Sequence, residues 1–185
     1  MLPMRLSGHN HVMKIRLADG NDSESCLRLG SKVFGDAIGH KVGQAVSDIW
    51  KGIGMLGEAR THSVHAAYWV AEDSGVTELL GIVGLYSPRW IGEQNVYLGW
   101  FGVHPDHRRQ GLGQLLIQHA EAEAAKLGFR SILVETSLQP AGTITFYQRV
   151  GFVAVAAVPD YWEDGSELIL MRKSIAGATL DPLPV

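Results

Sequence analysis

The stretch at residues 96–136 constrains the fold more than any other part of the sequence. Residues 96–103 (VYLGWFGV) are apolar on both faces, which predicts one central strand that is covered on both sides. The residues that then repeat at helical spacing are Leu112, Leu115, Leu116, His119, Ala120 and Leu127, before Gly128 ends the helix. Residues 131–136 (SILVET) predict the next strand. A strand, a crossover helix and a second strand require a sheet with helices on its faces.

Other patterns extend this unit in both directions along the chain. Further strands are predicted at residues 11–17, 64–72, 79–86, 152–158 and 167–171. Further helices are predicted at residues 24–34, 42–56 and 141–150. The turn Asp73-Ser74-Gly75 joins two of the strands into an antiparallel hairpin. The predicted fold class is therefore α/β in the α+β sense, with a mixed, mostly antiparallel central sheet and helices on both faces.

Length and composition fit one globular domain. The chain has 185 residues, of which 46% are hydrophobic and 19% are charged, so it can bury a core without the polar bias of a disordered protein. We expect a flexible N-terminal lead-in at residues 1–11, a single domain at residues 12–175 and a C-terminal extension at residues 176–185.

Charge and cysteine content exclude several classes of partner. The formal net charge is -3, so the basic footprint of a nucleic-acid-binding protein is missing. Cys26 is the only cysteine, which excludes an intramolecular disulfide and fits either a reactive thiol or a small core residue. No stretch approaches the roughly 20 apolar residues of a membrane-spanning helix. We expect a cytoplasmic protein without nucleic-acid or membrane partners.

The turn before the predicted helix favours an anion site. It runs from His104-Pro105-Asp106 through Arg108 and Arg109 to Gly111 and Gly113. The first turn of a helix has unpaired N–H groups that can bind a phosphate, and glycine permits close approach. An arginine can add a charge-assisted contact. The spacing fits neither the P-loop nor the dinucleotide-binding glycine pattern, which disfavours ATP and NAD.

Two motifs in this region resemble the GNAT acetyltransferases. The family's acyl-CoA signature, Gln/Arg-x-x-Gly-x-Gly/Ala after a strand ending in Val-x-Pro, is matched by Val103-His104-Pro105 and by Arg108-x-x-Gly111-x-Gly113. An aromatic residue, a tyrosine and a later Gly-Phe are matched by residues 146–152 (FYQRVGF). The close resemblance covers residues 96–155, and the N-terminal half agrees only in its order of elements.

The resemblance implies acetyl-CoA as the cosubstrate and an amine as the acceptor. In the family, the pantetheine arm pairs with the central strand and the pyrophosphate meets the glycine turn. The residues that this places at the cofactor are Phe101, Gly102, Val103, Arg108, Arg109, Gln110, Gly111, Leu112, Gly113 and Gln114. The sequence departs from many relatives at Pro140 and Thr143, where they carry Asn and Ala, so one CoA-contacting amide is missing or replaced.

The resemblance also implies catalytic candidates. Amine attack on a thioester needs a neutral nucleophile, an oxyanion donor and a proton for the leaving thiolate. Tyr147 occupies the family's frequent general-acid position, and the alternative is a tyrosine that only packs. Glu135 matches a general-base position of some members, and the alternative is a carboxylate that satisfies backbone donors. Substitute candidates for the base are Glu93, Tyr97, His104, Asp160 and Glu163.

The acceptor remains open between several alternatives. Residues 160–165 (DYWEDG) lie near the acceptor side in this family, and their acids and aromatic rings suit a cationic amine, although Asp164-Gly165 also fits a simple hairpin turn. Trp50, Trp69 and Trp90 suit a closed small-molecule pocket, whereas a protein or peptide acceptor needs an open groove. A non-catalytic acyl-CoA-binding or sensing domain is the alternative of another class.

Two further expectations concern metal binding and assembly. His62-x-x-His65 has no neighbouring ligand at metal-site spacing, so we expect no metal. Exposed strand edges allow a homodimer.

Overall fold

The computed structural model describes residues 13–36, 41–44, 46–47, 63–88, 90–138 and 142–175. The strands are β1 Met13–Leu17, β2 Ser63–Asp73, β3 Gly81–Pro88, β4 Asn95–Leu98, β5 Gly102–Val103, β6 Ser131–Thr136, β7 Val153–Val158 and β8 Leu168–Ser174. The helices are α1 Ser23–Phe34, α2 Leu112–Lys126 and α3 Thr143–Arg149, with short 3-10 turns at Gly20–Asp22 and Pro105–His107. Residues 41–44 and 46–47 are also helical. The predicted lead-in and C-terminal extension lie outside these residues.

The strands form one mixed, mostly antiparallel sheet. Its order is β1-β2-β3-β4-β6-β8-β7, and β5 pairs with β3 beside β4. The predicted hairpin is confirmed, because β2 and β3 run antiparallel with Tyr68 opposite Gly84. The only parallel pair among the described strands is β4 with β6, and α2 is the crossover between them. The predicted fold class and the strand–helix–strand unit are therefore confirmed.

The prediction of one continuous strand over residues 96–103 is wrong. The chain leaves the strand conformation at Gly99-Trp100-Phe101 and returns to it for only two residues, as β5. Gly99 N–H donates to Gly84 O at 2.8 Å, so the run remains attached to β3 across the break. Apolarity on both faces correctly indicated burial, but it carries no information about where the pairing of β4 with its other neighbour, β6, stops.

Two core clusters lie on opposite faces of the sheet. Helices α2 and α3 cover the first, in which the fully buried Leu116, Ile117 and Ile132 pack with Phe152. Helix α1 and the helical residues 41–44 and 46–47 cover the second, which contains Tyr68, Val70, Ile82 and Cys26. Cys26 is fully buried, and burial raises the pKa of its thiol to about 12, so it is a core residue and no reactive thiol.

Helix α2 confirms its predicted apolar face with one correction. Leu112, Leu116 and Ala120 are buried, whereas Leu127 is 50% exposed because it follows the last helical residue. Gly128 has a φ of +85° and ends the helix as predicted. Among the described residues, no helix is long and apolar enough to cross a membrane.

Gly84→Ala is predicted to lower the free energy of unfolding by about 1–3 kcal/mol, because a Cβ at this position would overlap the ring of the buried Tyr68. Gly92→Ala is the matched control, since the nearest atom to its added Cβ is Asn95 Nδ2 at 3.5 Å. Guanidinium chloride unfolding measures both variants. Equal stability of the two variants would contradict the close packing of Tyr68 on β3.

Candidate active site

The sheet opens between β4 and β6. Their parallel ladder joins Asn95 to Ser131 and ends where Tyr97 meets Leu133, although β6 continues to Thr136. Beyond the ladder the chain from β4 turns at residues 99–101, and β5 pairs with β3 alone among the described strands. Backbone groups of residues 99–103 and 134–136 on the facing sides thus have no ladder partner across the gap. A gap of this kind can accept an extended ligand between the two strands.

The glycine turn lies directly after β5. Arg109 has a φ of +60° and Gly111 a φ of +86°, so two residues of the turn adopt the left-handed backbone conformation before α2 begins. No atom lies within 4 Å of a Cβ added to Gly111, and only its left-handed backbone therefore favours glycine there. Leu115 N–H makes a helical bond to Gly111 O, whereas the preceding amides of Leu112, Gly113 and Gln114 belong to the unpaired first turn. This turn has the geometry that suits a phosphate.

The side chains of the turn take different roles from their backbones. Arg108 Nε donates to Val103 O at 3.1 Å and Gln110 Nε2 donates to Asp106 O at 3.3 Å, so both side chains brace the turn. Leu112 is buried in the core, and only its backbone is available to a ligand. The exposed Arg109 is the arginine whose side chain has no such internal role here. Of the two arginines, Arg109 is therefore the better candidate for a phosphate contact.

Phe101 joins the two sequence motifs. Its ring stacks on Phe146 with centroids 5.5 Å apart and planes 15° apart, and it lies 6.1 Å from the ring of Tyr147. A Cβ added to Gly113 would lie 3.3 Å from Phe146 and 3.6 Å from Phe101. The glycine turn, the break after β4 and helix α3 thus meet around one aromatic stack.

Tyr147 is buried beside this aromatic stack. It is 6% exposed, and its ring contacts Phe152 edge-on with centroids 5.4 Å apart. Burial raises the pKa of Tyr147, because an apolar environment disfavours the phenolate. Tyr147 therefore keeps its proton at neutral pH.

Glu135 lies on the other side of the gap. Tyr97 donates a hydrogen bond to its carboxylate, and partial burial nevertheless raises the pKa of Glu135 above its ordinary value of 4.5. The side chain remains exposed enough to exchange protons with solvent. These properties suit a base, since a raised pKa makes the carboxylate more basic.

Tyr147 and Glu135 approach the gap from opposite faces of the sheet. Val134 packs in the same core cluster as Tyr147, and side chains alternate along a strand, so Glu135 projects to the opposite face. Tyr97 pairs with Leu133 and Tyr86 pairs with Tyr97, which places both tyrosines on the face of Glu135. An acid and a base on opposite sides can act on two partners that meet in the gap.

An aromatic wall beside Glu135 was not predicted. Tyr86 and Tyr97 stack with ring centroids 5.3 Å and planes 18° apart, and Trp90 lies 5.9 Å from Tyr97. Sequence reasoning had proposed Tyr97 as a substitute base and Trp90 as a pocket residue, but it missed Tyr86. The register of β3 on β4 brings these rings together, and no local pattern encodes that register.

His104 has a structural role in place of the proposed catalytic one. It is 5% exposed, its Nδ1 accepts a hydrogen bond from Asp106 N–H, and its Nε2 lies 3.2 Å from Glu78. Lys32 of α1 also binds Glu78, at 2.7 Å. This cluster ties α1 to the start of the glycine turn. The sequence offered no signal for it, because Lys32 and His104 are 72 residues apart along the chain.

Other predicted residues take different positions. Trp69 does not close a pocket, because it is buried against His119 in the α2 core. Trp50, Pro140 and the side chains of His62 and His65 lie outside what the structure describes. Among the described residues, no group of three or more His, Cys, Asp or Glu side chains could hold a metal ion.

Glu135→Gln is predicted to raise the free energy of unfolding at pH 7. A carboxyl whose folded pKa is raised costs stability once it ionises, so the cost is full above the folded pKa and absent below the ordinary value of 4.5. The advantage of the variant should therefore shrink as pH falls toward 4. Urea unfolding at the two pH values measures the difference.

Glu93→Gln is the control, since Glu93 is an exposed residue of the β3–β4 turn. Its effect should remain within about 0.5 kcal/mol at both pH values. A Glu135→Gln variant that is less stable than wild type at pH 7 would show that Glu135 stabilises the fold and would contradict the prediction.

The sequence matches the Acetyltransferase (GNAT) family over residues 44–152. Blasticidin-S acetyltransferase of Streptomyces morookaense is 39% identical over 106 residues, which cover 56% of this chain and 71% of that protein. The ribosomal protein bS18-alanine N-acetyltransferase of Escherichia coli (strain K12) is 34% identical over 67 residues, which cover 35% of this chain and 45% of that protein. The chain spans 40% of the length of the first curated relatives that it matches.

A solved structure shares the fold. A protein from Salmonella typhimurium, determined with its cofactor acetyl-CoA, is similar with a TM-score of 0.68 at 21% identity, over 93% of this chain and 99% of that chain. The family match covers more than half of the sequence, and the chain belongs to the GNAT family of acetyltransferases.

Proposed function

We propose that the protein is an acetyl-CoA-dependent N-acetyltransferase that transfers an acetyl group to a primary amine by direct attack on the thioester. The observation that carries the proposal is the stack of Phe101 on Phe146, which joins the glycine turn and Tyr147 at the gap between β4 and β6. Membership of the family supports the same reaction.

The residues around the gap fit acetyl-CoA. The unpaired amides of Leu112, Gly113 and Gln114, together with the left-handed turn at Gly111, suit its pyrophosphate. Arg109 adds the charge, and the segment Phe101, Gly102 and Val103 borders the gap where an extended arm would lie, although Val103 O already accepts a hydrogen bond from Arg108. The cosubstrate supplies an activated acetyl group when it is bound. The turn residues Arg108 and Gln110 hold the loop in shape from within.

Tyr147 is the proposed general acid. Its phenol is buried beside Phe101 and holds its proton at neutral pH, so its Oη can donate that proton on the cofactor side of the gap. Packing against Phe101 and Phe152 restricts the ring to one orientation. General acid catalysis needs this kind of fixed, protonated donor.

Glu135 is the proposed general base. Its raised pKa increases its affinity for a proton, and its partial exposure allows that proton to pass to solvent. The hydrogen bond from Tyr97 orients the carboxylate. Glu135 therefore removes the proton of the ammonium group from the face opposite Tyr147, since only a neutral amine can attack.

The relatives differ in what their names say they acetylate. One acts on blasticidin S and another on an alanine of a ribosomal protein. Their names support an amine acceptor for this chain, either a small molecule or a peptide. Cytoplasmic location and the lack of nucleic-acid or membrane partners stay predictions.

Tyr147→Phe is predicted to lower turnover by about 100-fold to 10,000-fold while acetyl-CoA binding persists, because the change removes the proton but keeps the ring. Acetyl-CoA at about 100 times its dissociation constant should stabilise both wild type and variant by about 2.7 kcal/mol in thermal unfolding, with ATP as the inactive control. Release of free thiol in the presence of amines measures turnover.

Each result separates the alternatives. Stabilisation by acetyl-CoA without turnover on small amines or N-terminal peptides would favour a sensing domain. Unchanged turnover of Tyr147→Phe would remove Tyr147 from the mechanism, and a lack of stabilisation would contradict the cofactor site.

We also propose a homodimer through β7. This strand forms one edge of the sheet, and its side chains Val153, Val155 and Val158 are exposed. An apolar edge strand of this kind can pair with a second copy. The expected particle has twice the 20.1 kDa mass of the chain.

Val155→Lys is predicted to shift the protein to a monomer in size-exclusion chromatography with light scattering, because a charge at the contact opposes pairing of the two edges. Leu127→Lys, at the exposed end of α2, is the matched control and should not shift the mass. A monomeric wild type, or a dimer that survives Val155→Lys, would contradict assembly through β7.

A further inference from the structure

We propose that the protein selects acceptors that carry a second positive charge, a guanidinium or a further ammonium group, in an aromatic cleft formed by Tyr86, Trp90 and Tyr97 beside Glu135. The inference rests on the proposed function, because the cleft lies on the side of the gap from which the amine would arrive. It goes further in naming the chemical class of the acceptor and the residues that recognise it.

Three segments of the chain bring the rings together. Tyr86 and Tyr97 come from adjacent strands and stack at 5.3 Å, while Trp90 comes from the turn between those strands and lies 5.9 Å from Tyr97. The aromatic surface thus extends from Glu135 over more than one ring.

The exposure of Trp90 distinguishes it from a core residue. Trp90 is 68% exposed, although it lies beside the buried Tyr97. A tryptophan that serves only to fill the core buries far more of its surface. Exposed rings at the mouth of a site, next to a carboxylate, present negative π faces to a ligand.

The charges around the cleft favour a cation. Burial raises the pKa of both Tyr86 and Tyr97, so these phenols are neutral and retain their hydrogen-bonding protons. The loop at residues 159–167 contains four acids, Asp160, Glu163, Asp164 and Glu167, and no lysine or arginine. Arg172 of β8 pairs with Leu133 and projects from the same face of the sheet, but β8 lies on the opposite side of β6 from β4 and β3, which carry Tyr97 and Tyr86.

The extent of the wall indicates two charges in one acceptor. The proposed base Glu135 serves the amine that reacts, and its carboxylate already accepts a hydrogen bond from Tyr97. Trp90 lies on the far side of Tyr97 from Glu135. A single ammonium group bound at Glu135 would therefore not contact Trp90. A second cationic group on a short chain would contact both Trp90 and the Tyr86–Tyr97 stack.

The test compares two probes of similar chain length by calorimetric titration. Agmatine carries an ammonium and a guanidinium group, whereas butylamine carries only the ammonium group. The full chain is saturated with CoA, which has no acetyl group to transfer, so binding is measured without reaction. We expect agmatine to bind about 3-fold to 30-fold more tightly than butylamine, the range that cation–π contacts provide between exposed and desolvated sites.

Variants at Trp90 make the test specific. Trp90→Leu should abolish most of the preference for agmatine, and Trp90→Phe should retain part of it because a ring remains. Leu127→Ala, at a distant exposed site, should leave the preference unchanged. Equal binding of the two probes, or an undiminished preference in Trp90→Leu, would overturn the proposal.

The outcome is distinguishable from failure of the proposed function. Repeating the titration without CoA reports on the cleft even if the nucleotide does not bind. A preference for agmatine without any acetyl transfer would contradict the proposed function and support the cleft. Acetyl transfer with equal affinity for the two probes would support the proposed function and contradict the cleft.

Discussion

The structure depends on the point at which β4 stops pairing with β6. Three residue pairs hold these parallel strands together, from Asn95–Ser131 to Tyr97–Leu133, and beyond them the chain turns away at Gly99 while β6 continues. The sheet survives the break because both of its halves are anchored elsewhere. Antiparallel pairing with β3 holds β4 and β5, and six pairs with β8 hold β6. The site is thus an interruption of backbone pairing that the neighbouring strands stabilise.

The two faces of the sheet divide the chemistry between them. On one face, α2 and α3 bring the glycine turn and Tyr147 to the aromatic stack at Phe101. On the other face, Glu135 lies beside an aromatic wall whose outermost ring, Trp90, is exposed. This separation matches a reaction with two substrates, because a donor and an acceptor can enter the gap from opposite sides. It also explains the different burial of the two candidates, since an acid that must stay protonated benefits from an apolar environment.

Local sequence patterns predicted the elements near the glycine turn well. Residues 131–136 were predicted as a strand with the bounds of β6, and Gly128 ends α2 as expected. These predictions succeeded because periodicity and helix-ending glycines act within a few residues. The prediction of a single strand at residues 96–103 failed because a strand end is set by its neighbours. Trp69 was considered as a pocket residue and His104 as a substitute base, and in the structure Trp69 packs against His119 while His104 pairs with Glu78.

The sequence by itself determined the order of elements, the glycine turn and the residue types of the two motifs, since these depend on covalent neighbours and on local backbone preference. Tertiary structure alone decided which side chains meet. The stack of Phe101 on Phe146 joins residues 45 positions apart, and the register of β3 on β4 places Tyr86 against Tyr97 beside Glu135. Such contacts arise from strand register and from helix packing across the sheet. Those are properties of the whole core, and no short stretch of sequence encodes them.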